Sequence, residues 1–180
     1  QRGGQNVLYW HWSPTQGWAM NFPIEGYNEC LITYVLAASS PTHPIPAAAY
    51  HEGWARGGRI RNETGEPASH VGSGRKAPLE LRHQGDSQLG GPLFWSHYSF
   101  LGLDPRGLRD AYADYWRHNV EHTRINRQHC IENPHGYRGY GPHCWGLTAG
   151  YSVGFYAAHR PGEDLGVISP TAALSSFPML

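Results

Sequence analysis

Residues 28–40, Asn-Glu-Cys-Leu-Ile-Thr-Tyr-Val-Leu-Ala-Ala-Ser-Ser, constrain this chain more than any other stretch, because at helical spacing they are apolar on every side. A helix without a polar face has none to offer water, so the fold must bury it between other elements. Its largely apolar run covers residues 30–38, about half of the ~18 residues that a membrane span requires, so the expectation is a core helix and no spanning segment. Pro41, Pro44 and Pro46 end it. The fixed φ of Pro46 suits the first turn of a second short helix, 46–56, closed by Gly57-Gly58.

Beyond it the helical period lapses. Residues 59–62 and 79–82 alternate weakly and are expected to pair as a small hairpin excursion, and 57–91 reads as a variable loop insertion. Residues 92–101 are aromatic and read as helical. Asp104-Pro105 then offers an N-cap and a first-turn proline for the longest helix, 105–132, on which Leu108, Tyr112, Tyr115, Asn119 and Thr123 recur at steps of three and four as the inward stripe. After a Gly- and aromatic-rich stretch, 133–166, Ser169-Pro170 opens a last helix. With 23 glycines and 14 prolines in 180 residues, much of the length falls in loops, while 13% aromatic residues are too many for a disordered chain. The expected fold is mainly α, a helical toroid whose long ordered loops build a cleft, with an irregular helical domain the alternative that composition leaves open.

Charge and motifs remove several function classes. Lys and Arg number 14, balanced by 14 Asp and Glu, and no basic run tracks a phosphate backbone, which argues against nucleic acid as a partner. Cys30, Cys130 and Cys144 are odd in number and contain no C-x-x-C pair, so one bridge at most can form, with its pairing open. Walker and Rossmann loops are absent, as is a G-x-S-x-G elbow. His118-Asn119-Val120-Glu121-His122 matches the H-x-x-E-H pattern of inverted zinc peptidases. Both imidazoles flank the inward stripe and no third ligand follows at family spacing, so a helix edge lined with imidazoles is the favoured reading and the peptidase a rival. The chain starts at Gln1 and stops at Leu180 as a helix opens, which reads as a fragment; no signal segment is visible in it.

Two features point to chemistry. Glu29 stands at the start of the apolar helix, where a carboxylate needs a reason: it caps its own helix, or it is catalytic. A helix dipole would favour its ionised form and a base role, and desolvation its acid form; the residues alone leave this open. Trp10, Trp12, Trp18, Trp95, Trp145, Tyr137, Tyr140 and Tyr156 fall mostly in Gly-rich loops. Flat rings with polar rims suit the faces of sugars, although about half of such rings serve to pin loops. Trp10, Trp95 and Trp145 are the ones expected at the surface.

His11-Trp12-Ser13-Pro14, Tyr27-Asn28-Glu29, Leu31-Ile32-Thr33-Tyr34 through Pro41-Thr42-His43-Pro44-Ile45, His97-Tyr98-Ser99-Phe100-Leu101-Gly102-Leu103-Asp104-Pro105, Cys144-Trp145-Gly146-Leu147-Thr148 and Gly166-Val167-Ile168-Ser169-Pro170 together resemble the glucoamylase-like family, glycoside hydrolase family 144, in family order. The resemblance covers the chain except for a variable stretch at 57–88. It implies an (α/α)6 toroid, of which this chain would be a central part, and inverting endo-hydrolysis of β-1,2-glucan by two carboxyl groups with no metal or other cofactor. It also implies export to the periplasm or outside the cell. Glu29 is the carboxylate it carries over to the cleft, and the family's acidic motif in preceding helices has no counterpart here. On this reading Trp10, Trp12, Trp18, Asn28, His43, Trp95, His97, Tyr140, Trp145 and Asp164 are the candidate sugar-binding side chains, and a non-catalytic carbohydrate-binding domain is the alternative.

Overall fold

The computed structural model describes residues 3–62, 79–86 and 89–180. Its regular elements are α1 (Leu31–Ala38), α2 (Tyr115–Glu132), the antiparallel strands β1 (Ala149–Tyr151) and β2 (Tyr156–Ala158), and α3 (Pro170–Ser175). Single turns of tighter or wider helix and long ordered loops join them. Among the described residues no helix is long and apolar enough to cross a membrane.

The helices are shorter than their sequence periods suggest. The apolar run yields helix only from Leu31, so Glu29 and Cys30 precede α1, and burial is one-sided: Leu31 and Tyr34 are enclosed while Leu36 is 63% exposed. The expected helix at 46–56 is one wide turn, Ala49–Trp54, closed by Ala55 N donating to Tyr50 O at 2.9 Å. Residues 92–101 form two tight turns, Leu93–Ser96 and Ser99–Leu101. The longest helix begins ten residues after Pro105 because Gly107 adopts a left-handed φ of 77°, which a continuing helix cannot accommodate. Asp114 caps α2 instead, its Oδ1 accepting from Arg117 N at 3.0 Å, while Asp104 is an exposed partner of Arg106. The hairpin β1–β2 was not foreseen in the 133–166 stretch.

The expected pairing of 59–62 with 79–82 is present: Asn62 N donates to Glu80 O at 2.9 Å and Arg82 N to Ile60 O at 2.7 Å. Residues 63–78, the middle of the 57–91 stretch, lie outside the described residues. Its described ends belong to the core, with Ile60, Leu81 and His83 fully buried. Tyr27, Leu31, Tyr34, Trp54, Ile60 and Leu81 fill one cluster, and Leu93, Cys130, Trp145, Leu147 and Ala172 a second.

α2 runs through both and is unusual in what it buries. Tyr115, Asn119 and Thr123 face inward as the stripe predicted, but so do His118 and His122, expected on its edge, and Asn126 and His129, on which no expectation was placed. Polar burial is tolerated because nearly all of these groups are hydrogen-bonded, Asn119 Nδ2 being the exception. Asn126 exchanges bonds with Leu147 like a strand neighbour, Nδ2 to O at 3.2 Å and N to Oδ1 at 3.0 Å.

Candidate active site

The site is assembled from two chain segments held edge to edge. Tyr27 N donates to Arg82 O at 3.1 Å and Gln84 N returns a bond to Tyr27 O at 2.9 Å, a parallel pairing that fixes 27–29 beside 82–84. Asn28, buried under this junction, folds its Oδ1 over Cys30 N at 2.8 Å, an Asx turn that delivers the chain into α1. Ser99 completes the entry: its buried hydroxyl accepts from Ile32 N at 3.1 Å and donates to Glu29 O at 2.6 Å. The backbone of Glu29 is thereby pinned while its side chain stays free of the helix.

That side chain lines a cavity of about 420 Å³. Trp10, Met20 and Phe22 form an apolar wall, Trp95 lies among the lining, and Gln84, Gly85 and Arg160 supply the remaining polar edge. The wall is a ribbon in which Trp10 N donates to Phe22 O at 2.9 Å and the two rings meet edge to face at 6.3 Å. Trp95 is held from behind, where a Cβ on Gly91 would come within 2.0 Å of its ring, so only glycine fits there.

Burial pushes the Glu29 carboxyl above its ordinary range, and a bond from its own backbone N–H offsets this only in part. Among the described residues no cation forms an ion pair with it. With α1 beginning two residues later, burial is the larger of the two influences, and the carboxyl titrates above its usual range. Cys30 beside it is pushed up to about 12, chiefly by burial, and is inert as a nucleophile.

Of the side chains nominated from sequence, Glu29, Trp10 and Trp95 meet in this cavity, with Asn28 directly behind it. The others lie apart from its lining. Trp12 is exposed and Trp18 packs on Tyr9 at 5.5 Å. His43 is at the surface against Thr42 Oγ1, 3.0 Å away. His97 meets Ser176 Oγ at 2.9 Å, and burial lowers its pKa to about 4. Asp164 is buried as an anchor that accepts from Tyr140 Oη at 2.8 Å and Gly166 N at 3.0 Å and faces His129 Nε2 at 2.9 Å. Surface exposure holds for Trp10 at 48%, but Trp95 and Trp145 are only 8% exposed, Trp145 being packed into the second core cluster. Met20, Phe22, Gln84 and Arg160 were not singled out.

The H-x-x-E-H residues do not converge on a metal. His122 Nε2 donates to Gly91 O at 2.8 Å and its Nδ1 accepts from Ser96 Oγ at 2.7 Å, while His118 Nε2 is 2.9 Å from His83 Nε2. Glu121 turns to Arg124 at 2.6 Å. The described residues hold no group of three His, Cys, Asp or Glu side chains that could ligate a metal ion.

The family model described as "Glycoamylase: Putative glucoamylase" matches residues 21–180. The endo-β-1,2-glucanase of Chitinophaga pinensis, solved in complex with sophorotriose and glucose, is 61% identical with a TM-score of 0.89 over 99% of this chain and 41% of that one. The β-1,2-glucanase structure from Parabacteroides distasonis is 38% identical with a TM-score of 0.82 over 98% of this chain and 26% of that one. An exo β-1,2-glucooligosaccharide sophorohydrolase (non-reducing end) of the same organism is 42% identical over 178 residues, 95% of this chain and 25% of that protein. The chain thus spans a quarter to two fifths of these relatives' lengths. Matched along most of its length by the family model and along nearly all of it by solved relatives, the chain belongs to the glucoamylase-like family.

Proposed function

We propose that this chain is one part of a partial (α/α)6 toroid in a glycoside hydrolase that cleaves β-1,2-linked glucan with inversion, and that Glu29 is its general acid. One observation carries the reading: a carboxyl group that burial holds toward its protonated form lines a ring-walled cavity, with no ion pair to it among the described residues. A cavity of this size matches sites that hold small ligands, and its apolar wall suits a sugar face while Gln84 and Arg160 meet hydroxyls.

In the inverting reaction Glu29 gives its proton to the glycosidic oxygen as the C1–O bond breaks. Water then attacks C1 from the opposite face and loses a proton to a second carboxylate about 6.5–9.5 Å from the first. Glu29 is the one acidic side chain among the described lining residues, so the second is expected from outside the described residues.

The test is hydrolysis of β-1,2-glucan by the full-length protein, with the anomer of the fresh product read by NMR. Inverted product that disappears in Glu29→Gln supports the reading. Undiminished turnover in that variant overturns the assignment, and glucan bound but left uncut by the parent protein favours the binding-domain alternative.

A further inference from the structure

We infer that Gln84 is a specificity-determining residue of this cavity, and that Asn28 acts through it by fixing which end of its carboxamide faces the sugar. The inference rests on the reading of the cavity as a sugar site, and adds to it the orientation of the site's hydrogen bonds.

An amide's oxygen and nitrogen look alike in outline, and their assignment follows from partners. Cys30 N is a donor, so the Asn28 atom that it meets at 2.8 Å must be the oxygen. The other end of Asn28 is then Nδ2, a donor, and the Gln84 atom at 2.9 Å from it must be Oε1. One backbone N–H thereby sets both amides. Gln84 Oε1 is committed to Asn28, Nε2 has no acceptor among the described residues, and Gln84 lines the cavity together with Glu29, so the free N–H groups are assigned to the cavity side.

The backbone holds this arrangement as firmly as the side chains do. Gln84 N is bonded to Tyr27 O, and a Cβ on Gly26 would touch the Gln84 backbone at 3.4 Å, so the two segments sit in close contact. With Gln84 Nε2 and the Arg160 guanidinium, the neutral-amide and cationic side chains of the polar edge offer donors. The occupant must supply acceptors, as the oxygens of a glycan do, and a ligand whose outward groups are ammonium or amide N–H would be rejected.

The experiment measures calorimetric binding of a β-1,2-linked glucotriose to the full-length protein carrying Glu29→Gln, which stops turnover. Gln84→Ala is expected to weaken binding about tenfold, ~1.4 kcal/mol. Gln84→Glu, which keeps the bond from Asn28 Nδ2 but presents oxygen to the sugar, is expected to weaken it at least as much at an unchanged melting temperature. Asn28→Asp still accepts from Cys30 N but turns its second oxygen on Gln84, reversing that amide, and should also cost about tenfold; added to Gln84→Ala it should cost nothing more. Wild-type affinity in both Gln84 variants, or effects of Asn28→Asp and Gln84→Ala that multiply, overturns the inference while leaving the sugar site standing. Absence of glucotriose binding in the parent protein overturns both.

Discussion

His83, His118 and His122 are more deeply enclosed than Glu29, yet they are the less reactive group. Each ring nitrogen of His83 and His122 has a partner: Gly91 N donates to His83 Nδ1 at 2.7 Å, His83 Nε2 meets His118, and His122 spans Ser96 and Gly91. Burial pushes all three pKa values down and keeps them neutral. The Glu29 carboxyl is only partly enclosed, but its hydrogen-bonding capacity faces open space. Burial with every bond made builds a core; burial with bonds left over beside a cavity prepares a site for a ligand.

The sharpest way to break this contrast is to neutralise each group. Glu29→Gln in the full-length protein should lower kcat on β-1,2-glucan about a thousandfold, within the range that loss of a general acid causes, with little change in melting temperature. His122→Ala should do the reverse in kind. It strands Gly91 O, takes one of two partners from Ser96 Oγ and empties a packed site, so an unfolding free energy lower by about 3 kcal/mol is expected in a urea titration. A His122→Ala protein as stable as the parent would show that the imidazole network is not structural.

pH separates the two groups without mutation. The unfolded chain protonates its histidines near pH ~6.5, whereas folded His122 and His97 do so only at about 4. Below the unfolded pKa the unfolded state therefore binds more protons, and stability is fully present above it and lost as the pH falls toward 4. The expected loss is about 1.4 kcal/mol per pH unit for each such imidazole, measurable as a falling urea midpoint between pH 7 and 5. Glu29 acts in the opposite direction. As the proposed acid it must hold its proton, so kcat should decline as pH rises through its raised pKa, and Glu29→Gln should abolish that limb.

What could be read from the sequence follows the same division. Glu29 was legible because a carboxylate beside an apolar helical run is locally anomalous, and Trp10 because an aromatic ring off a helical period stands out. Gln84 was not, since its role depends on Asn28, 56 positions away, and it sits in a stretch with no period of its own. Arg160 reaches the cavity from just after β2, which local pattern did not reveal. Asp104 offered the better written cap, but a left-handed Gly107 separates it from α2 and the cap passed to Asp114. The buried imidazoles were misplaced because hydropathy counts a histidine as polar whether or not its bonds are made inside.

Trp10 gives the smallest effect and the finest test of the contrast, because it belongs to the cavity and hardly at all to the core. It is half exposed, and its aromatic contact is the edge of Phe22 in a ribbon otherwise held by backbone bonds. Removing the ring should leave folding free energy within about 0.5 kcal/mol, as for other surface truncations. The wall facing the sugar would lose its broadest plate, so KM for glucan should rise a few-fold, about 1 kcal/mol of stacking, with kcat kept. Trp145→Ala supplies the control from the opposite region: packed with Leu93, Cys130 and Leu147, it should cost about 3 kcal/mol of stability. If Trp10→Ala instead lowers the melting temperature as much as Trp145→Ala while KM is unmoved, the ring wall is core, and the cavity loses the face on which a sugar would rest.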